Sequence, residues 1–235
     1  AAGGGPPPSP PSPPPAPVPS APPAPPVFMT REQCLRFAVG RIGDVLGAAF
    51  SAVDAHPTRV RLPDEPLMLV DRIVSVEGEP RSLSSGRVVT EHDVDPGAWY
   101  LDGGRIPPCI AVEAGQAALF LSGYLGIDER TKGLAMYRLL DAVVTFHRGL
   151  PGPGETIRYD IRIERFTRQG DAWLFFFDFE AAVGGRPLLS MKKGCAGFFT
   201  RQRLDEGKGI VFTELDRRPV PCKRPADWTE LVPMA

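Results

Sequence analysis

Two stretches in the second half of the chain alternate so strictly that they admit only a sheet with one dry face. In ETIRYDIRIE, Ile157, Tyr159, Ile161 and Ile163 fall on one side and Arg158, Asp160, Arg162 and Glu164 on the other. Successive side chains of a strand point to opposite faces, so this pattern half-buries the strand. DAWLFFFDFEAAV repeats it, with Trp173, Phe175, Phe177 and Phe179 in one row. Gly184 and Gly185 turn the chain into a further strand, PLLSMKKGCAGFFT, and RLLDAVVTFHRGLP upstream reads as another, closed by a Gly-Leu-Pro-Gly turn. Short turns between such strands make antiparallel neighbours.

A sheet with one dry face needs a lid, and PCIAVEAGQAALFLSGYLGID, Pro108 to Asp128, supplies the residues for one. Pro107 and Pro108 pre-set a first helical turn, and Gly126 is a natural stop. A helix that is apolar all round is a buried helix. Upstream, Leu67 to Val76 and Leu83 to Thr90 are rich in strand formers, and Asp102, Gly103 and Gly104 mark a tight turn before the helix. The expected architecture is α+β, a curved antiparallel sheet wrapped around one long central helix. Glu113 and Gln116 interrupt the first two turns of that helix. An unpaired carboxylate in an apolar core is costly, so Glu113 is either a satisfied structural group or an acid with a raised pKa.

The flanks differ in composition. Residues 1–27 are almost wholly Pro, Ala, Ser and Gly and read as an interdomain linker. Residues 28–61 read as a helix and connector. Thr30 and Gln33 make a capping box, and Leu35, Ala38, Ile42, Val45, Leu46 and Ala49 recur at helical spacing. Residues 62–201 hold the main domain, and 202–235 read as a second linker with a short helix near Trp228.

Charge and ligand-type residues exclude several classes. A formal net charge of −1 offers no basic field for nucleic acid or an anionic membrane. Cys34, Cys109, Cys195 and Cys222 lack CxxC spacing, and His56, His92 and His147 form no metal-binding pair, so no metal site is expected. The setting expected is reduced and cytoplasmic.

Three separated pieces, LPDEPLMLVDRIV, WYLDGGRIPPCIAVEAGQ and FHRGLPGPGETIRYDIRI, together resemble a hotdog-fold dehydratase of the β-hydroxyacyl-ACP (FabA-like) type. The resemblance is strongest to the first hotdog in the dehydratase region of polyunsaturated fatty acid synthases and polyketide-type megasynthases. It implies dehydration of a 3-hydroxyacyl thioester to an enoyl thioester, with the substrate carried on the phosphopantetheine of an acyl carrier protein and no cofactor of the domain's own. It further implies a histidine and a carboxylate paired across two hotdogs, the second from the same polypeptide or a homodimer mate.

On this resemblance Glu113 takes the carboxylate position as general acid, and Gln116 orients it from one place earlier than the usual spacing. Tyr100, Ile106 and Cys109 are the expected substrate-binding residues. The departures matter as much. The loop WYLDGGRIPP holds no histidine, and Pro108 stands where a glycine amide would face the thioester oxygen, with no N–H to give. The base is therefore expected from another hotdog. His92 and His147 read as strand-end residues and His56 as a loop residue, none assigned to catalysis. Two other readings stay open: a hotdog that only scaffolds its neighbour, and a hotdog thioesterase in which Glu113 activates water.

Overall fold

The computed structural model describes residues 26–207 together with Glu214, Arg217 and Arg218. The expected linker before Pro26, most of the expected C-terminal linker and the short helix near Trp228 lie outside the described residues.

Six strands make one antiparallel sheet: β1 (Arg72–Glu77), β2 (Gly86–Asp93), β3 (Ala135–Phe146), β4 (Thr156–Gln169), β5 (Ala172–Val183) and β6 (Arg186–Thr200). Their spatial order is β1-β2-β4-β5-β6-β3, every neighbouring pair antiparallel. The alternation read from the sequence sets the dry face. Ile157, Tyr159, Ile161, Ile163, Phe175, Phe177 and Phe179 are all buried, with Trp173 partly so at the end of its row. Register breaks recur in β3 to β6 and between Ile73 and Ser75. Each such bulge bends its strand, which lets the sheet curl over what it covers. This helix-on-curled-sheet arrangement is the hotdog fold.

The central helix is not one long element. It is three short ones, α3 (Pro108–Glu113), α4 (Ala118–Tyr124) and α5 (Ile127–Thr131). The first break follows Glu113, where Gly115 and Gln116 donate to carbonyls only three residues back. Gly115 is pressed onto the sheet: a Cβ there would sit 2.6 Å from Cζ of Phe179. A glycine that allows this approach is also a poor helix former, by about 1 kcal/mol relative to alanine. The second break is Gly126, at φ 96°. Apolar periodicity runs across both breaks because every piece faces the same core.

The N-terminal helix divides likewise. α1 (Arg31–Val39) starts on the Thr30–Gln33 capping box, α2 (Ile42–Leu46) follows a bend at Gly40, and a 3-10 stretch spans Ala48–Ala55. Asp54 in that stretch caps α2 by accepting from the amides of Ile42 and Gly43 at 2.8 and 3.0 Å. Ahead of α1 the chain pairs with the outer side of β1, with Met29 opposite Ile73. A short helix, α6 (Arg201–Asp205), follows β6.

The two sheet edges are treated differently. That of β1 is partly covered by the Met29 pairing, whereas the outer edge of β3 has no strand partner among the described residues. Leu134, Leu139, Leu140, Val143 and Phe146 are exposed on or beside it. Among the described residues no helix is long and apolar enough to cross a membrane.

Candidate active site

Glu113 is the last residue of α3, half-buried where helix, sheet and β3 meet. The helix is pinned from below by Tyr159 in β4, whose buried hydroxyl donates to the Ala111 carbonyl at 2.7 Å. Gln116 then reaches back across the break, its Nε2 donating to Oε2 of Glu113 at 2.8 Å. Its other amide atom, Oε1, accepts from the Tyr137 hydroxyl at 3.3 Å. The result is a line of hydrogen bonds from β3 through Gln116 to the carboxyl.

Burial pushes the Glu113 carboxyl above its ordinary value, and the Gln116 bond offsets part of that rise. The carbonyl end of a helix is also an unfavourable place for an anion. Tyr137 is pushed up to about 12, first by burial and then by the Glu113 charge, so its hydroxyl stays a donor. The arrangement holds a half-buried carboxyl in one orientation, its pKa raised by burial, with Oε1 taking no hydrogen bond from the described residues and not sealed off. Such a group can donate a proton to a leaving oxygen or take one from a water.

None of the other expected site residues hydrogen-bonds to this pair among the described residues. Cys109 is exposed at the start of α3. Ile106 is in the core. Tyr100 is nearly buried and spends its hydroxyl on Nε2 of His92 at 2.7 Å. His92 lies at the end of β2, as expected, but it is 4% exposed there, and its Nδ1 lies 2.9 Å from Asp71 Oδ2. No hydrogen bond among the described residues joins it to Glu113. His147 is exposed and contacts Ser190 at 3.0 Å, and His56 Nδ1 has no partner among the described residues.

No cluster of metal-ligating side chains occurs among the described residues. Sequence reasoning does not find Tyr137. It is a strand residue twenty-one positions from Gln116, and its only signal is a lone aromatic with a hydroxyl at the start of β3.

Residues 62–192 match the family model described as the FabA-like domain. The chain belongs to the FabA-like family. That match takes in the whole central segment, including Glu113, Gln116 and Tyr137. Over 188 residues this FabA-like chain is 43% identical to a polyunsaturated fatty acid synthase subunit of Thraustochytrium sp. (strain ATCC 26185 / S-3). The alignment takes in 79% of the chain and 12% of that relative, so the chain spans a small part of its relative's length. Among solved structures, the dehydratase heterocomplex ApeI:P from Xenorhabdus doucetiae superposes with TM-score 0.46 and 18% identity, over 63% of this chain and 93% of that one. The E. coli PaaI protein from the phenylacetic acid degradation operon superposes with TM-score 0.35 and 14% identity, over 52% and 81%. At that level of similarity neither speaks to function.

Proposed function

We propose that this chain is one hotdog of a 3-hydroxyacyl-ACP dehydratase in a polyunsaturated fatty acid synthase, with Glu113 as general acid. The observation that carries the reading is the Tyr137–Gln116–Glu113 line, which orients a carboxyl whose pKa burial raises. The 43% identity to a polypeptide of such a synthase supplies the setting. In the proposed step a base removes the C2 proton of the thioester, and that electron pair forms the C2–C3 double bond. The C3–O bond breaks as Glu113 protonates the departing oxygen, leaving an enoyl thioester and water. Return of the proton from base to carboxylate, through solvent, resets the pair.

The base in this reading is a histidine of a second hotdog seated against β3. The open outer edge of β3 and its exposed apolar residues support that placement, since Tyr137 on this strand is bonded directly to the Glu113 relay. The acyl group arrives on the phosphopantetheine of an acyl carrier protein, in the cytoplasm, and the reaction calls for no cofactor on this chain. A purely scaffolding hotdog is the second reading, favoured by the histidine-free loop and by Pro108 at the first helical position.

The test is turnover of a 3-hydroxyacyl carrier substrate by this chain alone and by a polypeptide containing both hotdogs. The expected result is little or no dehydration by the chain alone and robust dehydration by the pair. Robust turnover by the single chain would overturn the division of labour.

A further inference from the structure

His92 has no part in the chemistry just proposed, yet it sits at the centre of a closed polar chain. Asp71 accepts from three sides: from the Arg31 guanidinium, from His92 Nδ1 at 2.9 Å and from the Asp93 amide at 2.7 Å. Burial alone would push its carboxyl up, but these bonds and the Arg31 charge hold it below the ordinary value. A carboxylate only accepts, which assigns a proton to Nδ1, and Nε2 shares its hydrogen bond with the Tyr100 hydroxyl at 2.7 Å. Every member is satisfied by another protein group, the pattern of a network that rigidifies rather than one that binds a ligand.

The two ends of this chain are what matter. Arg31 belongs to α1, in the segment ahead of residue 62 where the family match begins. Tyr100 belongs to the loop that runs into α3. Next to it Trp99 is 60% exposed, edge-on to the Tyr100 ring at 5.7 Å, its Nε1 donating to the Pro66 carbonyl at 3.0 Å. The far end of the loop is tied too, with the Ile106 amide on the Pro151 carbonyl at 3.0 Å. Pro107 follows as the cap of α3. One end of this loop is thus bonded to the polar chain that starts in α1, and its other end leads directly into the first turn of α3.

We propose that Arg31, Asp71, His92 and Tyr100 are positioning residues, a chain through which the N-terminal segment sets the loop that leads into the Glu113 helix. The segment before residue 62 is thereby part of the functional unit. Only the activity arm of the test rests on the function proposed above.

The primary test reads the Trp99 indole and the Gln116 side-chain amide by NMR in the full chain. Arg31→Met and Tyr100→Phe are each expected to move both resonances, and Arg31→Lys, which retains the charge, to recover most of the wild-type positions. Arg36→Met is the control. Arg36 is on the same helix but, among the described residues, its side chain pairs only with Glu32, at 2.8 Å, and its loss should leave both resonances in place. In a polypeptide containing both hotdogs, Tyr100→Phe is expected to lower kcat roughly tenfold with KM nearly unchanged, the mark of a misplaced reacting group. Arg31→Met moving the two resonances no more than Arg36→Met would overturn the proposal, even if Tyr100→Phe failed to fold. Absence of dehydration in the wild-type pair would defeat the functional reading instead, and the resonances would still decide the positioning chain.

Discussion

The hydroxyl of Tyr137 in β3 lies 3.3 Å from Oε1 of Gln116, which ties the open edge of the sheet to the carboxyl-bearing helix. Gln116 spends its other end on Glu113, so the edge where a second hotdog is proposed to dock and the proposed acid share one hydrogen-bonded line. Four predictions can be measured before the acid itself is removed.

Gln116→Met keeps the volume and removes the bond that favours the ionised form of Glu113. With that offset gone, the Glu113 pKa rises further above its ordinary value. A general acid must be protonated, so activity is lost as pH rises through its pKa. The alkaline limb of kcat/KM for the paired hotdogs is therefore expected to move to higher pH, with a lower plateau from the lost orientation. A limb that stays put or moves to lower pH would contradict this.

Gly115→Ala puts a methyl 2.6 Å from Phe179 Cζ, far inside contact distance. Overpacking of this kind costs about 1–3 kcal/mol. The urea midpoint should fall accordingly with an unchanged slope, whereas an unchanged midpoint would mean that helix and ring are not pressed together.

Gly115 also shows where sequence reading runs out. The dry rows of β4 and β5 and the Thr30–Gln33 capping box were legible because their causes are local: alternation in one case, a three-residue spacing in the other. The break after Glu113 was not, since apolar periodicity reports which face is buried and says nothing of how closely a ring on another strand approaches. Glu113 and Gln116 were legible as polar residues in an apolar stretch. Tyr137 and the His92 chain were not, because Tyr137 meets Gln116, and Asp71 and Tyr100 meet His92, only through the folded sheet.

Asp128 is buried in the first turn of α5, both carboxyl oxygens accepting from the Val60 amide at 3.0 and 3.1 Å, and burial pushes its pKa from 3.8 to about 6. The folded pKa thus exceeds the unfolded one. Between about pH 4 and 6 the folded state keeps a proton that the unfolded chain has lost, so stability falls as pH rises through that window, and about two pH units amount to roughly 3 kcal/mol. Asp128→Asn keeps an acceptor and has no such proton. The stability difference between the two proteins is expected to shift toward the variant across this window and level off above it. A difference flat from pH 4 to 6 would rule out the buried carboxyl as its source.

Leu140 and Val143 are 52% and 51% exposed on β3. A lysine on an open edge blocks strand addition at little cost to the fold. Leu140→Lys is expected to change the stability of the isolated chain by no more than about 0.5 kcal/mol. It should abolish association with a second hotdog, read by light scattering after size-exclusion chromatography. Pairing that survives the lysine would place the interface elsewhere.

The most direct measurement is dehydration of a 3-hydroxyacyl carrier substrate by a polypeptide containing both hotdogs, with and without Glu113→Gln. Glutamine keeps the shape and cannot donate the acid proton. The account predicts that kcat falls by about 10²–10⁴-fold, the usual worth of a positioned acid, while the two hotdogs remain associated. A near wild-type rate would contradict it and leave this hotdog a scaffold for its neighbour.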